Sequence, residues 1–112
     1  MKELPKSTKV VVIGGGVAGT SCAYHLAKFG WKDVILLERD QLTSGTTWHA
    51  AGLLGQLGAS STITKIRKYS LDLYKDLEKT TGLSTGMKQN GAITVASTKE
   101  RMQELLLSLI HI

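Results

Sequence analysis

The chain of 112 residues has few of the residue types that cross-link small domains, and this narrows the classes of protein it can represent. It contains one cysteine, Cys22, one proline and one phenylalanine. A single cysteine excludes an internal disulfide framework and a cysteine-rich zinc site. No run of about 18 apolar residues exists, so no segment is expected to cross a bilayer as a helix. The composition, 42% hydrophobic and 21% charged, is that of an ordinary globular domain.

The excess of positive charge does not indicate a nucleic-acid partner. The chain has 14 Lys and Arg against 9 Asp and Glu, a net charge of +5. Within residues 65–79 the basic residues alternate with acidic ones, which is typical of the solvated face of a helix. Aromatic residues that could stack on bases are scarce. We therefore expect no nucleic-acid partner.

Residues 9–39 have the pattern of a β-α-β unit. Residues 10–13, Val-Val-Val-Ile, form an apolar β-branched run typical of a strand buried on both faces of a parallel sheet. Three glycines follow, and a helical period then extends from Val17 to Gly30. Residues 34–37 form a second buried-type run. Because the crossover between parallel strands is right-handed, this order predicts the start of a doubly wound, Rossmann-like α/β domain.

The rest of the chain predicts loop, helix and one more strand. Residues 41–61 are rich in Gly, Ser, Thr and Ala, which predicts a loop with a short helix at about residues 48–54. Apolar residues recur at helical spacing from Ile63 to Leu77, which predicts a helix of about 17 residues. Residues 90–95 alternate as a half-buried strand does, and Ser97 with Glu100 offers a capping box for a last helix.

Residues 105–112 are apolar on every face and abandon the amphipathic pattern that precedes them. Either this helix is buried in a larger protein, or the octet is not native sequence. A doubly wound nucleotide-binding domain also needs three or more parallel strands, whereas the β-α-β pattern supplies two. We therefore expect the chain to be the N-terminal part of a longer protein.

The spacing Gly14-x-Gly16-x-x-Gly19, between a predicted strand and a predicted helix, indicates a dinucleotide-binding turn. Gly14 allows the tight turn, Gly16 lets the backbone approach a pyrophosphate, and Gly19 lets helix and strand pack closely. Unpaired amides at the start of the helix would face the phosphates. Glu38 can accept hydrogen bonds from both ribose hydroxyls and argues against a 2′-phosphate, although Arg39 weakens that exclusion. The turn alone fits either FAD or NAD.

The segment that follows carries a family resemblance. The string LTSGTTWHAAGLL, residues 42–54, resembles the second dinucleotide segment of glycine-oxidase and sarcosine-oxidase flavoproteins. Within that class it most closely resembles the sarcosine dehydrogenase and dimethylglycine dehydrogenase family. The likeness continues through LEKTTGLSTGMKQNGAITVAS and TKERMQEL, and so covers about residues 8–104. Residues 105–112 depart from the family, which has a polar helix there. An NAD-binding domain would leave residues 43–54 unexplained.

The resemblance implies an FAD-dependent oxidoreductase with residues 9–39 as the dinucleotide-binding unit and residues 41–62 as the flavin-contacting segment. A second, α+β substrate domain would lie largely outside this chain, as would the catalytic residues. The implied reaction is oxidative demethylation of a small N-methylated glycine, sarcosine first and dimethylglycine second. The product would yield formaldehyde or pass its carbon to tetrahydrofolate.

The resemblance also implies partners and a location. Electron-transfer flavoprotein or oxygen would accept the electrons, in the mitochondrial matrix of a eukaryote or the cytoplasm of a bacterium. A competing hypothesis is a non-catalytic protein on the same scaffold, similar to the regulatory subunit of pyruvate dehydrogenase phosphatase. The intact Trp-His-Ala-Ala-Gly string favours the enzyme.

By the same resemblance, His49 aligns with the histidine that these dehydrogenases link covalently to the 8α-methyl carbon of the flavin. That bond requires a neutral imidazole whose lone pair is held against the carbon. The alternative is that His49 only packs or hydrogen-bonds beside the flavin ring. No metal site is expected. The full set of implied cofactor contacts is Gly14, Gly16, Val17, Ala18, Gly19, Glu38, Arg39, Gly45, Thr46, Thr47, Trp48, His49, Ala50, Ala51, Gly52 and Leu53.

Two residues of the first predicted helix are expected to be structural. Cys22 should be a buried thiol that packs on the sheet. His25 should lie on the surface of the helix.

Overall fold

The computed structural model describes residues 5–109, with only the backbone of residue 109. These residues fall into two compact units, which divide between Leu53 and Leu54. The first unit contains a strand, a helix, a second strand and a 3₁₀ helix, and the second unit contains two helices. In chain order the elements are β1 (Val10–Ile13), α1 (Val17–Lys28), β2 (Val34–Leu37), the 3₁₀ helix Thr46–His49, α2 (Ser61–Thr81) and α3 (Lys99–Leu109).

The first unit is a β-α-β unit, as predicted. β1 and β2 pair in parallel, with Val10 opposite Val34 and Ile13 opposite Leu37. α1 packs on both strands. Gly30, two residues after the end of α1, has a φ of +87° and donates its amide to the Ala27 carbonyl. The start of the expected doubly wound α/β domain is therefore present.

The apolar strands are only partly covered by the residues that the structure describes. Gly15 is the one buried residue among them. Ile13 is 86% exposed, and Val11 and Leu37 are also exposed. A two-stranded sheet with one helix leaves strand edges and one face open, although the β-branched sequence of β1 is typical of a strand buried on both faces.

Cys22 is exposed, so the expected buried thiol is a wrong prediction. The partly covered positions of α1 include Gly19, Ala23 and Leu26, which are three or four residues apart. Two strands cover only this narrow face of the helix, and Cys22 lies outside it. His25 is half-buried, with Nδ1 2.7 Å from the carbonyl oxygen of Ser21.

In the second unit, the long predicted helix is confirmed as α2, with 21 residues. The Ser60 side chain caps it by accepting a hydrogen bond from the Ile63 amide at 3.3 Å. Gly82 ends it in the left-handed conformation with φ of +70°, and its amide donates to the Glu78 carbonyl. Ser and Gly are the residue types preferred at these two ends.

Three predictions about local structure are wrong. Residues 90–95 form no strand: Ile93 is 93% exposed, and the segment lacks the neighbouring strand that its backbone groups would pair with. The helix expected at residues 48–54 forms instead as the 3₁₀ helix Thr46–His49. The cap of α3 lies one residue later than predicted, because the hydroxyl of Thr98 accepts from the Arg101 amide at 3.1 Å.

Of residues 105–112, residues 105–109 continue α3 and residues 110–112 lie outside the described residues. Within residues 5–109, no helix is long and apolar enough to cross a membrane.

Candidate functional site

The glycine-rich turn joins the carboxyl end of β1 to the amino end of α1. Gly14 has a φ of +101°, which other residues rarely adopt, and its amide donates to the Leu37 carbonyl at 2.8 Å. A Cβ on Gly19 would lie 1.8 Å from the carbonyl oxygen of Gly14. Only glycine therefore permits the observed approach of helix to strand, which is the role predicted for Gly19.

The two middle glycines of the turn, Gly15 and Gly16, lie close to side chains of the segment that follows β2. A Cβ on Gly15 would lie 2.5 Å from the Leu42 side chain, and one on Gly16 would lie 3.0 Å from Thr47 Oγ1. The close neighbours of this turn therefore include the segment that follows β2. Sequence reasoning missed Gly15, because the fingerprint leaves that position unspecified and only the run of three glycines marks it.

The first turn of α1 offers free amide donors. Gly16 is the N-cap residue, without a side-chain cap, and no acidic residue lies in the first turn. The Val17 amide donates to Thr47 Oγ1 at 2.9 Å. Among the described residues, nothing accepts from the amides of Gly16, Ala18 and Gly19. Unpaired amides at the positive end of a helix dipole fit the phosphates of a dinucleotide.

Glu38 lies against this turn. Its Oε2 accepts from the Gly15 amide at 2.6 Å, and its Oε1 accepts from the amides of Arg39 and Asp40 at 2.7 and 3.2 Å. The hydrogen bond from Gly15 is the largest cause that lowers the pKa of Glu38, and that from Asp40 follows. The carboxylate is thus ionised at neutral pH and keeps acceptor capacity for hydroxyl groups of a ligand.

The segment that follows β2 returns to the turn through its backbone. The Thr43 amide donates to the Gly15 carbonyl at 3.0 Å, and Thr43 has a φ of +68°. A β-branched residue rarely adopts this left-handed conformation, so the geometry is strained.

The side chain of His49, at the end of the 3₁₀ helix, contacts the backbone of Gly45, the residue before the helix begins. His49 Nδ1 lies 3.0 Å from the Gly45 carbonyl oxygen. Since a carbonyl only accepts, we assign the hydrogen of the neutral imidazole to Nδ1. Nε2 then carries the free lone pair.

The structure brings together only part of the set predicted for the cofactor. Gly14 to Gly19, Glu38 and Thr47 lie in contact around one turn. Trp48 and Leu53 are 79% and 88% exposed, and among the described residues no hydrogen bond joins Gly45, Thr46 or residues 50–53 to the turn.

A shallow cavity of about 450 Å³ in the first unit includes none of these residues. It is lined by residues 29–33 and Lys9. These residues precede the two strands, whereas ligands of open α/β sheets bind beyond the carboxyl ends of the strands. We therefore do not assign the cavity to the cofactor. Among residues 5–109 there is also no cluster of His, Cys, Asp and Glu that could hold a metal ion.

The chain is similar in sequence to several proteins named as dehydrogenases or oxidases. The chain is 49% identical to mitochondrial sarcosine dehydrogenase of Mus musculus over 92% of its length, and 49% identical to mitochondrial dimethylglycine dehydrogenase of Rattus norvegicus over 91%. It is 47% identical to 4-methylaminobutanoate oxidase (formaldehyde-forming) of Paenarthrobacter nicotinovorans over 92%. The resemblance to the first two dehydrogenases is confirmed.

The same chain is also similar to a protein named as a regulatory subunit. It is 45% identical to the mitochondrial pyruvate dehydrogenase phosphatase regulatory subunit of Mus musculus over 91% of its length. The chain spans about 11 to 12% of the length of these four relatives. The model of one family, FAD dependent oxidoreductase, matches residues 9–109. The chain therefore belongs to the FAD dependent oxidoreductase family.

Proposed function

We propose that this chain is the FAD-binding N-terminal part of an enzyme that oxidatively demethylates a small N-methylated amino acid. The observation that carries the proposal is the set of free amides on Gly16, Ala18 and Gly19, next to an ionised Glu38. Amides suit the pyrophosphate of FAD, and the carboxylate suits the ribose hydroxyls. When bound, FAD supplies two-electron oxidation of the amine.

The flavin-contacting segment would complete the cofactor site. Arg39 follows Glu38 at the carboxyl end of β2, and small residues from Gly45 to Gly52 leave backbone amides open to a ligand. These residues are exposed in the described part of the chain. We infer that they contact the flavin half of FAD, together with Thr46, Thr47, Trp48 and Leu53.

His49 is the proposed point of covalent attachment. Its hydrogen bond to Gly45 leaves Nε2 with a free lone pair, which is the atom that can bond the 8α carbon. Formation of this bond would release one proton from the 8α-methyl group and one from the imidazole. The two electrons released would need an acceptor such as molecular oxygen.

The substrate proposed first is sarcosine, with dimethylglycine second. The named substrate of the bacterial relative, 4-methylaminobutanoate, adds a longer chain that sequence reasoning did not consider. All three compounds carry an N-methyl amine and a carboxylate, so we propose this pair of groups as the substrate class. Release of the methyl carbon as formaldehyde, or its transfer to tetrahydrofolate, would follow oxidation.

Electron-transfer flavoprotein or oxygen would then reoxidise the flavin. Mitochondrial relatives support the matrix as the location in a eukaryote, with the cytoplasm as the bacterial alternative.

A second candidate function is non-catalytic regulation on the same scaffold. Identity of 45% to the phosphatase regulatory subunit favours it. That identity is close to the 49% seen for the dehydrogenases, so overall similarity does not separate the two candidates. The presence of covalent flavin and the oxidation of an amine would separate the enzyme from the regulatory protein.

The test uses the full-length protein that carries this chain, as wild type and as His49→Ala. We expect yellow fluorescence to stay with the wild-type protein through acid precipitation and denaturing electrophoresis, with a flavin adduct on the peptide that contains Trp48 and His49. His49→Ala should lose this retention but still bind FAD reversibly, because the glycine turn and Glu38 address the ADP half of the cofactor. The rates at which the protein oxidises sarcosine, dimethylglycine and 4-methylaminobutanoate are then measured in the presence of an artificial electron acceptor and compared with one another.

Release of free flavin from denatured wild-type protein, with no such adduct, would defeat the covalent assignment. Bound FAD without oxidation of any of the three amines would favour the regulatory candidate.

A further inference from the structure

Thr47 joins the flavin-contacting segment to the amino end of α1. Its Oγ1 accepts from the Val17 amide at 2.9 Å, across 30 residues of sequence. α1 has no capping side chain at its own N-cap, Gly16, and Thr47 instead supplies an acceptor for the amide of Val17, the first helical residue. Thr47 is half-buried, whereas the other residues between 41 and 50 are exposed.

His49 lies in the same 3₁₀ helix as Thr47, and apolar packing does not hold this helix in place. Trp48, its largest side chain, is 79% exposed. The Gly45 carbonyl accepts from the Trp48 amide at 3.2 Å and contacts His49 Nδ1 at 3.0 Å. Both contacts are internal to the helix and its cap, and so they fix His49 to the helix but not to α1.

Hydrogen bonds of Thr43 and Thr47, and the close approach of the Leu42 side chain to Gly15, connect this segment to the glycine turn and α1. The bond from the Thr43 amide to the Gly15 carbonyl lies six residues before His49. The Thr47 bond lies two residues before it. A single turn of exposed 3₁₀ helix has little stability of its own. The position of His49 relative to the free amides of α1 therefore depends mainly on Thr47.

We propose that Thr47 is a positioning residue for covalent attachment of the flavin. By accepting from the Val17 amide, its hydroxyl holds His49 at a fixed place relative to the amides that would bind the pyrophosphate. This inference rests on the proposed function, since it requires that His49 bonds the flavin. A fixed distance between the two sites raises the effective concentration of the imidazole at the 8α carbon.

A simpler role for Thr47 would be a contact to phosphate. A hydroxyl that accepts from Val17 still has its own hydrogen to donate to a phosphate oxygen. Loss of that contact alone would raise the FAD concentration needed for half-maximal attachment. Loss of positioning lowers the rate of attachment even when FAD is saturating.

The experiment follows covalent flavin against time in the full-length apoprotein mixed with increasing FAD, after quenching in acid. Thr47→Val removes the acceptor, and Val17→Pro removes the donor of the same hydrogen bond. Proline suits the first position of a helix, and the extended Gly16 before it is compatible with proline. Thr47→Ser keeps the hydroxyl. Thr80→Val, in α2, is the matched control for exchange of threonine for valine.

We expect Thr47→Val and Val17→Pro each to lower the maximal rate of attachment about tenfold. The double variant should be no slower than either single variant, because both remove the same bond. Thr47→Ser should restore the rate to within about threefold of wild type, and Thr80→Val should match wild type. Fluorescence of bound flavin before quenching verifies that each variant still binds FAD.

A maximal rate for Thr47→Val within about twofold of wild type would overturn the positioning role, and so would multiplicative effects in the double variant. Both results leave the proposed function intact if wild type gains flavin on His49. Wild-type protein that acquires no covalent flavin would overturn the positioning role together with the His49 assignment.

Discussion

Gly19→Ala tests whether the close packing of α1 on β1 sets the geometry of the proposed pyrophosphate site. The added Cβ would lie 1.8 Å from the carbonyl oxygen of Gly14 and 3.0 Å from its carbonyl carbon. Real Cβ atoms do not approach heavy atoms closer than 3.0 Å, so the helix must retreat by about 1 Å or more. The obstacle is backbone, which cannot rotate away as a side chain can.

Two effects of opposite sign determine how Gly19→Ala changes the free energy of unfolding. Alanine in a helix is favoured over glycine by about 1 kcal/mol. Overpacking costs about 1–3 kcal/mol and sometimes more, and an overlap with a backbone carbonyl belongs at the upper end. We therefore expect net destabilisation of about 2 kcal/mol and a melting temperature lowered by several degrees. The free amides of Ala18 and of residue 19 move with the helix, so FAD affinity should fall as well.

The assay is thermal melting of the full-length protein together with flavin retention on gel filtration. Gly55→Ala is the matched control for the melting temperature, because its Cβ would meet only an arginine side-chain nitrogen at 4.0 Å and its φ is not in the left-handed region. Its melting temperature should equal or slightly exceed that of wild type. A Gly19→Ala protein that melts as high as wild type and keeps its flavin would refute the close-packing role.

Two further predictions concern Glu38 and the isolated chain. Glu38→Ala in the full-length protein should weaken FAD binding about tenfold, because charge-assisted hydrogen bonds are lost, and unchanged flavin retention would remove Glu38 from the site. Because its pKa is lowered in the folded state, the stabilisation it gives is fully present above its ordinary value of 4.5 and is lost as the pH falls through the lowered value. Unfolding curves of wild type and Glu38→Gln should therefore converge in that acid range. The isolated 112 residues should aggregate or stay molten and hold little FAD, since Ile13 is 86% exposed; a cooperative melt with stoichiometric flavin would contradict this.

The sequence predicts the β-α-β unit well because each of its parts is encoded locally. A β-branched run, a glycine turn, a helical period and a second apolar run each indicate one element, and right-handed crossover fixes how they combine. The steric role of Gly19 was also predictable, since the spacing of the three glycines implies it. α2 was predictable from its apolar period and from Gly82 at its end.

Two of the wrong predictions concern features that depend on a partner. Alternation in residues 90–95 describes what a strand would look like, but a strand exists only if another strand accepts its hydrogen bonds. Cys22 was expected to be buried because it lies near the apolar face of α1, yet burial depends on how wide the opposing sheet is. Local sequence specifies neither the neighbouring strand nor the width of the sheet.

The hydrogen bond between Thr47 and Val17 is a feature of the candidate site that local sequence does not specify. The glycine fingerprint and the Trp-His-Ala-Ala-Gly string are each recognisable alone, and the resemblance implied only that Thr46 and Thr47 contact the cofactor. A hydrogen bond across 30 residues leaves no local pattern. Because Gly16 approaches Thr47 Oγ1 so closely, a side chain at that glycine would disturb the threonine as well as a phosphate. Two reasons therefore favour glycine at the second position of the fingerprint, and only the approach to pyrophosphate could be inferred from spacing.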